Sequence, residues 1–235
     1  MVPIIALHVT QVRVFEPDEI PFGLLMTRVN SKKINQELSF RQAVVIPATQ
    51  SGDPFGCISF SGGTIADDEG AIYVIEQVSV ESRRVIITVA ADSSIADKTF
   101  EKLRTLFFAI DNRPTKPSLE PIVLTNETTT VAKFSFPFSK LFATGDLGKF
   151  YIGMNKMVEQ PNAKPLVFPS SIRFRVSYTE TPQSFRDQKV EILDKDIVIE
   201  HRIGTALEDN VFFISSPNRS EMHLKLIESL EKTFT

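Results

Sequence analysis

A strand that runs straight into an amphipathic helix occurs twice in this chain, once at the end of each half. Val85-Ile86-Ile87-Thr88-Val89 reads as a buried strand. It passes through Ala90-Ala91-Asp92-Ser93-Ser94 into a helix with Phe100, Leu103, Phe107 and Ile110 on one face. Val211-Phe212-Phe213-Ile214 reads as a second buried strand. It passes through Ser215-Ser216-Pro217 into a helix with Met222, Leu226, Ile227, Leu230 and Phe234 on one face. An apolar stripe of that width must be buried against a sheet or another helix. Each unit follows a long run of short strands. The pattern predicts an α+β, β-rich fold: two similar lobes of mainly antiparallel strands, each closed by an amphipathic helix. Phe100, Leu103, Phe107, Leu226, Leu230 and Phe234 are the expected core residues of the two helices.

Several strands are legible one by one. Ile5 to Phe15 alternates, as do Ile172 to Tyr178, with Ile172, Phe174 and Val176 on the core side and Arg173 and Arg175 toward water. Ala71 to Val80 and Arg83 to Val89 form a hairpin pattern with Glu81-Ser82 near its tip. Lys189 to Leu193 and Ile197 to Ile203 read as strands, and Ser31 to Leu38 as a short helix. Ser61-Gly62-Gly63 reads as a turn after a short strand at Gly56 to Phe60. Ser94 and Asp97 have capping-box spacing at the first helix; Ser216 and Pro217 read as N-cap and first residue of the second. Asp111 to Ser118 carries two prolines and is almost wholly polar. The expected organisation is therefore a first lobe over 1–112, a linker over 113–118 and a second lobe over 119–235.

Composition narrows the class. The chain of 235 residues has 19 Phe, 3 Tyr and no Trp, which favours aromatic side chains in a core over a wet recognition surface. A formal charge of −3 argues against a nucleic-acid partner, because binding to phosphate backbones calls for a basic excess. One cysteine, Cys57, permits no internal disulfide. No apolar stretch approaches the roughly 20 residues that span a bilayer, and the start lacks the basic region of a signal peptide. The expected location is cytoplasmic. Asn126-Glu127-Thr128 and Asn218-Arg219-Ser220 match the glycosylation sequon and read as chance in that setting.

The residues that could carry chemistry are few. The 3 histidines, His8, His201 and His223, lack metal-ligand spacing and read as strand- or helix-surface residues. Cys57 lies in a strand that would bury it. Asp67-Asp68-Glu69 lacks the alternate spacing of a calcium loop and reads as a solvated turn; Asp194-Lys195-Asp196 reads as a neutralised one. No nucleophile elbow and no phosphate-binding glycine loop occurs. We assign no catalytic, cofactor-binding or metal-binding residue and expect no cofactor. Arg173, Arg175 and Arg202 form the one candidate binding surface.

The reading that follows is a non-enzymatic structural or assembly protein, capsid-, matrix- or scaffold-like, acting through protein partners or self-association. The alternative is a two-lobed binding module, or an enzyme, with its site at the lobe interface, where pockets form readily. A histidine or Cys57 in an open cleft, within hydrogen-bond reach of a carboxylate or hydroxyl nucleophile, would overturn the non-enzymatic reading.

Overall fold

The structure, a computed structural model, describes residues 1–51, 53–143, 145, 148–150, 153–154, 169–178 and 193–235. Among them the chain builds one antiparallel sheet of nine strands: β1 (Ile4–Val14), β2 (Gln42–Ile46), β3 (Cys57–Ala66), β4 (Ile72–Val80), β5 (Arg84–Val89), β6 (Val123–Lys133), β7 (Ser171–Val176), β8 (Lys195–His201) and β9 (Val211–Ser216). The strand order is β2-β3-β4-β5-β1-β6-β9-β8-β7. The broad α+β class is as the sequence pattern predicts. The halves on either side of the expected linker share one sheet, because β1 pairs with β6 from Ile4↔Ala132 to Val14↔Val123.

Alternation sets two unlike faces. On β1, Val9, Gln11 and Arg13 are buried, while His8, Thr10, Val12 and Val14 are only half-buried. Val9 lies opposite Val89 on one side and Thr128 on the other, and all three are fully buried. That face carries the helices α4 (Ser93–Ile110) and α5 (Ser220–Phe234). Phe100 of α4 stacks on Phe15 at 5.8 Å, and Phe136, just past β6, meets Phe234 of α5 at 5.5 Å. Two clusters result. One is built on Phe15, Phe60, Phe100 and Phe107, the other on Phe134, Phe136, Phe138 and Phe212. No helix covers the opposite face over the strands β1, β5, β6 and β9 among the described residues, and its positions mix threonine, serine and charge with apolar residues such as Val12, Ile86, Val131 and Phe213.

The shorter helices α1 (Phe22–Leu25), α2 (Arg28–Glu37) and α3 (Ala48–Ser51) lie between β1 and β3 in sequence. Thr27 caps α2 by accepting from the Asn30 amide. Ser61-Gly62-Gly63 is not a turn: β3 runs through it to Ala66. The glycines are needed for clearance, since a Cβ on Gly63 would come within 2.5 Å of the Phe40 ring, and Gly62 has φ +68°. The polar stretch after α4 is tied down. Arg113 donates to Asp111 and to the carbonyls of Asp18 and Glu19, and the Leu119 amide donates to Glu19 at 2.7 Å.

Both long helices occur where the apolar period puts them, with changes of detail. The N-cap of α4 is Asp92, which accepts from the Ser94 amide at 2.8 Å; Ser94 is inside the helix. The helix α5 begins at Ser220 with Arg219 as N-cap, so Ser216 ends β9 and Pro217 precedes the helix. Phe100, Leu103 and Phe107 are buried as expected. On α5 the inward residues are His223 and Ile227, flanked by Leu224, Leu230 and Phe234, while Met222 is 56% exposed and Leu226 stays outside the cluster. Phe174 shares the helix-side face with Ile172 but is 55% exposed. The expected strand at Lys189 to Leu193 lies outside the described residues, save for exposed Leu193. No helix among them is long and apolar enough to cross a membrane. Leu103→Ala should cost about 2–5 kcal/mol in urea unfolding, and Met222→Ala no more than about 0.5 kcal/mol. Equal losses would contradict this assignment of the core.

Candidate functional site

The sequence brings polar residues to the sheet centre on both faces. On the helix side, the N-termini of α4 and α5 meet. The Ser93 amide donates to Ser220 Oγ at 3.0 Å, and the two hydroxyls lie 3.0 Å apart, both serines being buried. Helix N-termini carry partial positive charge, so this meeting calls for a counter-charge. Asp97 supplies it. Its Oδ1 accepts from Gln11 (2.9 Å) and Arg13 (2.7 Å), and its Oδ2 from Arg219 (2.5 Å). Arg13 also donates to Gln11 Oε1 and lies 4.1 Å over the Phe100 ring. Burial pulls the Arg13 pKa down, and the Asp97 carboxylate pushes it back.

Beside this junction lies His223, fully buried rather than exposed on the helix surface as its position in the sequence suggests. Its Nδ1 is 2.7 Å from Ser216 Oγ and its Nε2 2.7 Å from Thr130 Oγ1. The Asn218 amide also donates to Ser216 Oγ. Burial lowers the His223 pKa from 6.5 to about 4. Both ring nitrogens are satisfied by hydroxyls and closed to solvent, so this is a structural histidine.

The open face holds an accessible candidate site. A depression of about 380 Å³ lies over β1 and β6, with His8, Thr10, Glu76, Thr88, Thr129 and Arg202 among its lining residues. Its apolar lining is Ala6, Val131 and Phe213. His8 Nδ1 is 3.0 Å from Glu76 Oε1, each side chain 40% exposed. A carboxylate only accepts, so Nδ1 carries a proton, and Nε2 has no hydrogen-bond partner among the described residues. Glu76 sits in the register break between Ile75↔Val89 and Gln77↔Thr88. Such a bulge re-aims the extra side chain, and here Glu76 reaches across β5 to β1. Thr10 and Thr88 hydroxyls are 3.2 Å apart.

The remaining candidates separate. Arg202 reaches the depression and has no ion-pair partner among the described residues, whereas Arg173 and Arg175 lie on β7, with Arg175 3.6 Å from Asp196. His201 Nε2 lies 3.2 Å from the Ala206 carbonyl. Cys57 is 5% exposed, and burial, aided by Glu81, pushes its thiol pKa up. Asp67 accepts from the Glu69 and Ala71 amides and from Tyr73, which makes it the organiser of the β3–β4 turn; Asp68 pairs with Lys98. Among the described residues no three potential metal ligands converge. No sequence signal joins His8 to Glu76, because a bulge decides where Glu76 points.

No protein-family model matches the chain, and no curated protein matches it in sequence.

The buried imidazole makes stability depend on pH. Above about pH 6.5, His223 is neutral both folded and unfolded. As pH falls toward 4, the unfolded chain takes up a proton that the folded one refuses, and stability falls by up to roughly 3 kcal/mol. Urea unfolding between pH 7 and 4 should show this loss, and His223→Gln should flatten it in that window. An unchanged slope in the variant would refute the assignment.

Proposed function

We propose that this chain is an internally duplicated binding module whose ligand site is the open-face depression where its two halves meet. The observation that carries the reading is the origin of the walls. His8, Glu76 and Thr88 come from the half before residue 113, and Thr129, Arg202 and Phe213 from the half after residue 118. Cavities between like units are a common place for ligands. The His8–Glu76 pair in an open depression meets the geometric condition that counts against a non-enzymatic structural protein, and it supports a site at the lobe interface.

Three registers support the duplication. The opening strands β1 and β6 are each 11 residues long, and the closing strands β5 and β9 are each 6 residues long. Laying Val89 on Ser216 lays their partners Val9 and Thr128 on each other, and those two are paired across the sheet centre. The same alignment lays Ser93 on Ser220, which are hydrogen-bonded to each other. A single twofold axis through these two contacts relates a lobe over 1–112 to a lobe over 119–235. The site falls beside that axis. Titration with small polar fragments should shift the amide resonances of Thr10, Thr88 and Thr129, and Thr129→Phe, which fills the depression, should abolish the response. Shifts confined to the apolar pocket of about 370 Å³ around Phe22, Met26 and Phe55 would reject the reading.

A second reading, self-association, has its own observation. The outer edge of β2 is unpaired among the described residues, its strand Gln-Ala-Val-Val-Ile carries no charge, and Val44 and Val45 are 40% and 50% exposed. Uncharged edges invite pairing with another chain. Light scattering should then report a dimer that Val44→Lys returns to monomer; a monomer at every concentration removes the reading.

A further inference from the structure

We infer that the ligand of the seam depression is a small organic anion, with a carboxylate or phosphate head held between Arg202 and His8 and a short apolar body over Phe213; the inference rests on the depression being a binding site. The charge inventory points this way. Arg202 is exposed and has no ion-pair partner among the described residues, so its guanidinium donors are available to a planar or tetrahedral oxyanion. The acid in the depression is already engaged, since Glu76 holds His8 Nδ1 at 3.0 Å. Of the other acids on the same face, Glu127 of β6 lies 3.4 Å from Ser215 Oγ and 3.9 Å from Lys195, and Glu200 of β8, opposite Phe213, does not line the depression. The facing residues of β5 and β6, Thr88 and Thr129, are neutral and offer hydroxyl donors.

The imidazole completes the cradle. With Nδ1–H directed at Glu76, the remaining nitrogen, Nε2, is an acceptor when His8 is neutral and a donor when it is protonated. An anion oxygen needs the donor, so docking of an anion against neutral His8 is coupled to uptake of a proton from solvent at Nε2. Glu76 then balances the imidazolium, and Arg202 balances the ligand. The apolar lining of Ala6, Val131 and Phe213 gives no partner to a polar tail, which sets the amphiphilic character of the ligand. The volume of about 380 Å³ suits a small metabolite-sized molecule rather than a peptide segment.

Benzoate and phenyl phosphate, with benzamide as the neutral control, test this on the whole chain. The readouts are the His8 ring resonances and calorimetry in buffers of different ionisation enthalpy. Either anion should shift the His8 signals, with affinity at least 10-fold weaker in Arg202→Gln and proton uptake visible as a buffer-dependent heat. The two anions separate a carboxylate site from a phosphate site. Arg202 is exposed and has no ion-pair partner among the described residues, so the variant should melt as the wild type does. Benzamide binding at the seam while neither anion binds overturns the anion class and leaves the site standing. Anion binding unaffected by Arg202→Gln overturns the cradle. Seam resonances that no probe moves overturn the inference together with the site.

Discussion

Two helices point their N-termini at each other under the middle of the sheet, and the architecture depends on how that like-charged meeting is resolved. Each helix end exposes amides and partial positive charge. Ser220 answers part of the first problem, since its Oγ accepts from the Ser93 amide and is hydrogen-bonded to the Ser93 hydroxyl. Asp97 answers the second and adds more, because its carboxylate gathers Gln11 from the central strand, Arg13 beside it, and Arg219 from the cap of the opposite helix. One side chain thereby joins β1, α4 and α5. Arg13 is 7% exposed, and a buried cation without its carboxylate is costly. The junction therefore fixes the placement of both helices, and through them which face of the sheet is left open.

That division of faces gives the site its character. The helix side absorbs the phenylalanines, and its polar residues are saturated by one another, as His223 is by Ser216 and Thr130. The open side has small threonines around the seam, so larger groups at its rim, His8, Glu76, Arg202 and Phe213, leave a hollow between them. The irregularities that shape it are local. The β4 bulge turns Glu76 toward β1, and a second register break between Ile4 and Ala6 lies at the other end of the pairing with β6.

Period and composition made the class and the two long helices readable, because Phe100, Leu103 and Phe107 repeat on a face that only burial satisfies. The face of α5 was misread because its deepest residue is His223, and a polar residue at the centre of an apolar stripe shifts the apparent stripe toward Met222 and Leu226. Gly62 and Gly63 carry turn chemistry, but the Phe40 ring pressed on the strand supplies the reason for glycine there. Ser216 and Pro217 have the composition of a helix start, yet Ser216 belongs to β9 and to the His223 contact. Of the three arginines that the sequence singled out, only Arg202 lies at the seam. Alternation assigns a face to each arginine but not a distance across several strands. The His8–Glu76 contact required knowledge of a bulge, which no pattern of residue types carries.

The position of β1 has a consequence for how the chain is made. It precedes every other strand in sequence yet sits at the centre of the sheet, between β5 and β6. During synthesis both of its edges stay open until Arg84–Val89, and then Val123–Lys133, have left the ribosome. At roughly 5–20 residues per second, the wait for the first partner is on the order of 4–15 s. An alternating strand with two bare edges is at that stage a template for the wrong partner. The gap-filling hairpins of the first half can form early, but the nascent chain must shelter its own centre strand until its neighbours arrive.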